Sequence, residues 1–93
     1  MGRKNMAKEG KKVRIDGVKN RVTVILDPKF YNSESVNLSV NDFKDCCLTK
    51  LKSENDKITV VLSPKSKEID INTLGYEFYN YVLNKMRSNE SRF

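Results

Sequence analysis

Both cysteines of the chain, Cys46 and Cys47, stand side by side in NDFKDCCLTKL. Adjacent thiols could form a reactive site, hold a metal, or simply pack at the start of a strand. A disulfide needs Cα atoms at least about 4.4 Å apart, whereas neighbours across a trans peptide sit about 3.8 Å apart, so a vicinal bridge is strained. Structural zinc takes four ligands from Cys and His, and the chain has two cysteines and no histidine. An iron–sulfur cluster needs more thiolates than this. In a strand, residues i and i+1 point to opposite faces. The expectation is therefore structural: one of Cys46 and Cys47 in the core, the other exposed or under a helix, both free, with no metal and no cofactor.

The carboxylates offer little more. Asp42 and Asp45 are three apart and could share a helical surface, but helix-end carboxylates ordinarily cap or are solvated. Glu77 stands in an otherwise apolar stretch with Asn80 on the same face. It reads either as part of a solvated stripe or as a polar contact at an interface. The four scattered glycines match no phosphate-binding loop. No set of residues forms a self-sufficient catalytic centre, and the chain is not expected to be an enzyme.

The third chemistry is charge. The 93 residues carry a net +6, unevenly placed. Residues 1–21 hold eight Lys or Arg against Glu9 and Asp16, while residues 22–93 balance ten cations with ten carboxylates. The excess thus sits in an N-terminal arm, where Arg3, Lys4, Lys8, Lys11 and Lys12 are candidate contacts to phosphate. No aromatic RNA-binding strand signature, GXXG loop or zinc ligand set follows, so any nucleic-acid contact is expected to be weak and nonspecific. No apolar run approaches the roughly 18 residues of a membrane span, and no apolar stretch follows the basic start as in a secretory signal. A cytoplasmic, reducing location is expected.

The elements that must position these residues follow from periodicity. Residues 1–12 are polar and read as a disordered basic arm, one whose removal should leave stability nearly unchanged. Val13 and Ile15 alternate before the turn signal Asp16-Gly17, as an edge strand or the end of the arm. Val22, Val24 and Leu26 mark a strand, closed by Pro28. In YNSESVNLSVNDFKD, Val36, Leu38 and Val40 alternate like a strand, yet Val36, Val40 and Phe43 recur like a helical face. Asn32 as N-cap, Glu34 in the first turn and a Tyr31–Val36 staple favour a helix over 33–44. CCLTKLK and KITVVLS flank the turn composition SENDK and read as a hairpin, with a bulge or twisted end because Leu48 and Leu51 do not alternate. Asp70 or Asn72 can cap a last helix in which Leu74, Phe78, Val82 and Met86 form an apolar ladder.

The reading is a small α+β domain over 13–88, β-α-β-β-α, with two helices on one side of a three- or four-stranded sheet and a frayed end at 89–93. The other side of the sheet would show Thr23, Ile25, Thr59 and Val61. The last helix has more apolar surface than one small sheet covers. Tyr76, Glu77, Tyr79, Asn80, Leu83 and Arg87 are therefore candidate interaction residues, for a partner or for a second copy in a homodimer.

Tyr31, the Phe43-x-Asp45 helix end, Pro64-Lys65 closing a strand pair, and Glu77, Phe78, Asn80, Leu83 and Arg87 on the last helix together resemble the HxsD family of His-Xaa-Ser systems, over roughly residues 22–87. The chain departs from that pattern in a less alanine-rich helix and in Tyr81, where a Glu is usual. The resemblance implies an accessory component of a peptide-modification system, with a radical-SAM enzyme or a precursor peptide as partner. Three functions are thus weighed: an accessory or adaptor protein, a basic-armed nucleic-acid-associated protein, and, last, an enzyme.

Overall fold

A computed structural model describes residues 11–90, with side chains through Arg87. Arg3, Lys4, Lys8 and the rest of the arm before Lys11, like residues 91–93, lie outside the described residues. The elements are β1 (Lys11–Asp16), β2 (Arg21–Leu26), α1 (Ser33–Phe43), β3 (Cys47–Ser53), β4 (Ile58–Pro64) and α2 (Ile71–Glu90). The four strands form one antiparallel sheet in the order β1-β2-β4-β3. This is the expected α+β architecture, with the first alternating segment resolved as a true edge strand.

Each boundary has a local cause. Asp16 Oδ1 accepts from the N–H groups of Val18 and Lys19, both at 3.1 Å, and so closes the β1–β2 turn. Asn20 supplies that turn's left-handed residue, at φ 52°. Asn32 caps α1, its side chain accepting from Ser35 N–H at 3.0 Å. Tyr31 and Val36, the two staple positions, are both buried. Asp70 caps α2 through Asn72 N–H at 2.9 Å. At the far end of α1 the Lys65 ammonium donates to the carbonyl of Lys44, the C-cap residue, at 2.8 Å.

Register sorts the side chains. Val22, Val24 and Leu26 of β2 and Ile58, Val60 and Leu62 of β4 share one face and are buried under the helices. Val36 and Val40 of α1 and Leu74, Phe78 and Val82 of α2 complete that core. Burial of each such side chain contributes about 1.5–3 kcal/mol. Phe78 is the largest of those fully buried. It meets the ring of Phe43 edge-on, with centroids 5.1 Å apart.

Three boundaries differ from expectation. β1 begins at Lys11, so Lys11 and Lys12 belong to the sheet and not to a disordered arm; they pair with Leu26 and Ile25. Strand pairing needs only backbone groups, so a polar dipeptide can extend an edge without an apolar signal. α2 continues through Glu90, past the expected end at 88. The β3–β4 register runs unbroken from Cys47↔Pro64 to Ser53↔Ile58, with no bulge. Leu48 simply faces outward, 66% exposed.

Gly75, buried on α2, marks where the helix lies closest to the sheet. A Cβ there would stand 2.6 Å from Val13 Cγ1 and 3.2 Å from Val22 Cγ2. Alanine would gain about 1 kcal/mol of helix propensity, but overpacking costs about 1–3 kcal/mol, and the stiff valines leave no easy relief. Gly75→Ala should therefore lower the urea midpoint, and Gly75→Ala combined with Val13→Ala should recover part of the loss. A second expectation concerns the strand start. Truncation through Lys12 should be less stable than truncation through residue 10, by about 1–2 kcal/mol for the lost ladder bonds and the Lys11–Tyr79 contact. Thermal melts of the two truncated chains measure the difference.

Candidate functional site

The thiols lie where α1 hands over to the sheet. Cys46 is in the turn after α1 and Cys47 is the first residue of β3, with their sulfurs 3.6 Å apart. They do not point to opposite faces, because alternation begins only at Cys47. Cys46 Sγ also stands 3.5 Å from the carbonyl oxygen of Phe43. Both cysteines are free, with Cys47 buried and Cys46 half-buried. Burial, followed by the neighbouring Cys46 thiol, pushes the Cys47 pKa up to about 12. A thiol held protonated at neutral pH is a poor nucleophile and a poor metal ligand. Among the described residues, no three His, Cys, Asp or Glu side chains group to hold a metal ion.

Asp42 and Asp45 do not act together. Asp42 ends α1 against α2: it accepts from the Tyr81 hydroxyl at 2.6 Å and pairs with the Lys85 ammonium at 3.2 Å. The Tyr81 hydrogen bond, then Lys85, lowers the Asp42 pKa, and the same carboxylate raises that of Tyr81. Asp45 lies in the following turn.

The six interaction candidates on α2 divide. Tyr79 packs edge-on against Tyr31, with centroids 5.7 Å apart, and the Lys11 ammonium stands 4.1 Å over its ring. Leu83 packs against the core. Tyr76 (45% exposed), Glu77, Asn80 and Arg87 face solvent. The apparent excess of apolar surface on α2 is largely covered by Tyr31, Phe43 and β1. Glu77 is one of the solvated polar residues.

The uncovered side of the sheet is where charge gathers. Pairing places Lys12, Ile25, Thr59 and Lys52 in one row across the four strands. The next row holds Arg14, Thr23, Val61 and Lys50, and the third Asp16, Arg21, Ser63 and Leu48. Five cations thus share the face with one carboxylate, and Asp16 is paired with Arg21 at 3.8 Å. Glu54, at the rim, pairs with Lys52 at 3.7 Å. Lys12, Arg14 and Lys50 are exposed and make no ion pair with a described carboxylate. Two shallow depressions, of about 600 and 610 Å³, lie along this face and share Lys50 and Val61.

Of the five predicted phosphate contacts, Lys12 is on this face, Lys11 is turned to the helix side, and the other three lie outside the described residues. Arg14, Arg21, Lys50 and Lys52 are site residues that sequence reasoning missed. Their signal is alternation: each cation is one position away from residues such as Val13, Val22, Thr49 and Leu51 that face the helix side. Comparison with family models, with curated proteins and with solved structures finds no match.

The perturbed groups set a pH window. Asp42 has a folded pKa below its ordinary 3.8, so its contribution is present above that value and is lost as pH falls through the folded pKa. Cys47 and Tyr81 have folded values above their ordinary 9.0 and 10.0; their contributions are present below those values and are lost as pH rises through the folded ones. The urea midpoint should therefore show a plateau between about pH 4 and 9 and decline on both sides. Cys47→Ala should flatten the start of the alkaline decline. At pH 8 a thiol reagent should label Cys46 first, and Cys47 only at the rate of opening.

Proposed function

We propose that this protein is a non-catalytic accessory protein that works by docking an anionic partner on the open face of its sheet. The observation that carries the reading is the segregation of five cations to one face around a strip of Thr23, Ile25, Thr59 and Val61. A non-catalytic role is supported by what the candidate groups already do: Cys47 is held protonated, and Asp42 is committed to Tyr81 and Lys85. Heparin, a generic polyanion, provides the test. Lys12→Glu with Lys50→Glu should elute at clearly lower salt than a charge-matched Lys29→Glu with Lys67→Glu control, which alters exposed loop positions. Equal shifts would show that net charge alone governs retention and would sink the reading.

A second docking mode is favoured by the exposure of Tyr76 beside Asn80 and Arg87 on α2. The resemblance to the HxsD pattern supplies its partner class, a radical-SAM enzyme or a precursor peptide, and a homodimer through α2 uses the same residues. Tyr76→Ser should abolish co-purification of such a partner while leaving stability within about 0.5 kcal/mol, as for an ordinary surface change. Retention of the partner by this variant would remove α2 as the docking surface.

A further inference from the structure

We infer that the open sheet face binds the phosphate backbone of a nucleic-acid duplex without reading its sequence; this rests on the polyanion-docking reading above. Lys12 and Arg14 stand two apart on edge strand β1, and Lys50 and Lys52 two apart on the opposite edge strand β3. With strands about 4.8 Å apart, three intervals separate the two edges by roughly 14 Å, and residues two apart on a strand lie roughly 6.6 Å from one another. The face therefore presents a short line of cations at each edge, splayed by the twist of the sheet, with a strip of smaller side chains between them. A duplex groove is the complementary object: two phosphate strands bordering a trough, of about 6 or 12 Å width. Long Lys and Arg side chains can adjust to either.

Between the cations lie the hydroxyls of Thr23, Thr59 and Ser63. Arg, Lys, Ser and Thr are side chains that contact phosphate and sugar. No described outward strand position carries an aromatic residue. Single-strand platforms depend on stacking bases on aromatic rings, and protein interfaces are anchored by Trp, Tyr and Arg in packed pockets. A face of cations and hydroxyls around the aliphatic Ile25 and Val61, with Leu48 at its end and no rings, fits neither as well as it fits a duplex backbone.

Charge is unevenly distributed over the molecule. The face carries five cations and one carboxylate, and residues 1–10 carry three cations and one carboxylate. Everything else in the chain balances, ten against ten. On the face itself Asp16 pairs with Arg21 and Glu54 at the rim pairs with Lys52, which leaves Lys12, Arg14 and Lys50 as exposed cations with no ion pair to a described carboxylate. A field of one sign concentrated on one side steers an anionic polymer to that side.

The experiment uses the full chain and three labelled probes in 50 mM salt: a 20-base-pair duplex of random sequence, a thymidine 20-mer, and poly-glutamate. The duplex should bind more tightly than the other two, and duplexes of different sequence should bind alike. Arg14→Glu with Lys50→Glu should weaken duplex binding at least tenfold and flatten the slope of log affinity against log salt by about 2. The Lys29→Glu, Lys67→Glu control should change it far less. If circular dichroism shows that the glutamate pair does not fold, Arg14→Gln with Lys50→Gln removes the charges with less disturbance and is held to the same expectation. Tighter binding of poly-glutamate would overturn the duplex assignment while leaving polyanion docking intact. Tighter binding of the thymidine strand would overturn it in favour of a single strand. Equal loss from face and control variants, or no binding of any probe, would overturn both the inference and the reading beneath it.

Discussion

Two helices must remove one apolar sheet face from water, and that requirement organises the molecule. β2 and β4, the central strands, place Val22, Val24, Leu26, Ile58, Val60 and Leu62 on that side. Phe78 is the largest side chain driven into them. Gly75, one turn earlier on α2, lets the helix backbone come down onto Val13 and Val22. With the helices committed to this face, the other stays open, and strand alternation decides what it shows. Core and candidate site are therefore two outcomes of the same period-two pattern.

That pattern explains what was legible in the sequence. The two central strands, the capped α1 and the apolar ladder of α2 each declare themselves by periodicity and by an end signal, and each is found where expected. Lys11 and Lys12 do not: an edge strand buries little, so a polar dipeptide can extend it. A helical wheel shows which residues of α2 are apolar and not what covers them; Tyr31 and Lys11, which pack on Tyr79, come from elsewhere in the chain. The basic face was hidden for a similar reason. Residues 22–93 are neutral when summed along the chain, but folding sorts charges by side. Lys50 and Lys52 become neighbours of Thr59 and Val61, with Glu54 beside Lys52 at the rim and the other carboxylates elsewhere on the surface.

Most residues that carry the family-like pattern have structural work. Tyr31 is a staple that packs on Tyr79, and Phe43 meets both Phe78 and Tyr81. Lys65, following Pro64, caps α1. These positions belong to the way α1 and α2 are fastened to each other and to the sheet. A pattern built on them describes a fold, whereas Glu77, Asn80 and Arg87, which face solvent, are the positions free to describe a partner.

The location of the cations has one more consequence. Among the described residues β1 and β3 are the two edges of the sheet, and each offers a row of backbone groups with no described strand beyond it. Such rows invite strand addition from other chains, which is how aggregates begin; charged side chains, lysine above all, discourage it. Lys11, Lys12 and Arg14 guard one edge and Lys50 and Lys52 the other. The side chains that give the face its charge thereby also discourage edge-to-edge strand pairing. Replacing them with apolar residues would change solubility along with affinity, while a bound polyanion would neutralise the same guards and crowd the edges of neighbouring copies together along its length.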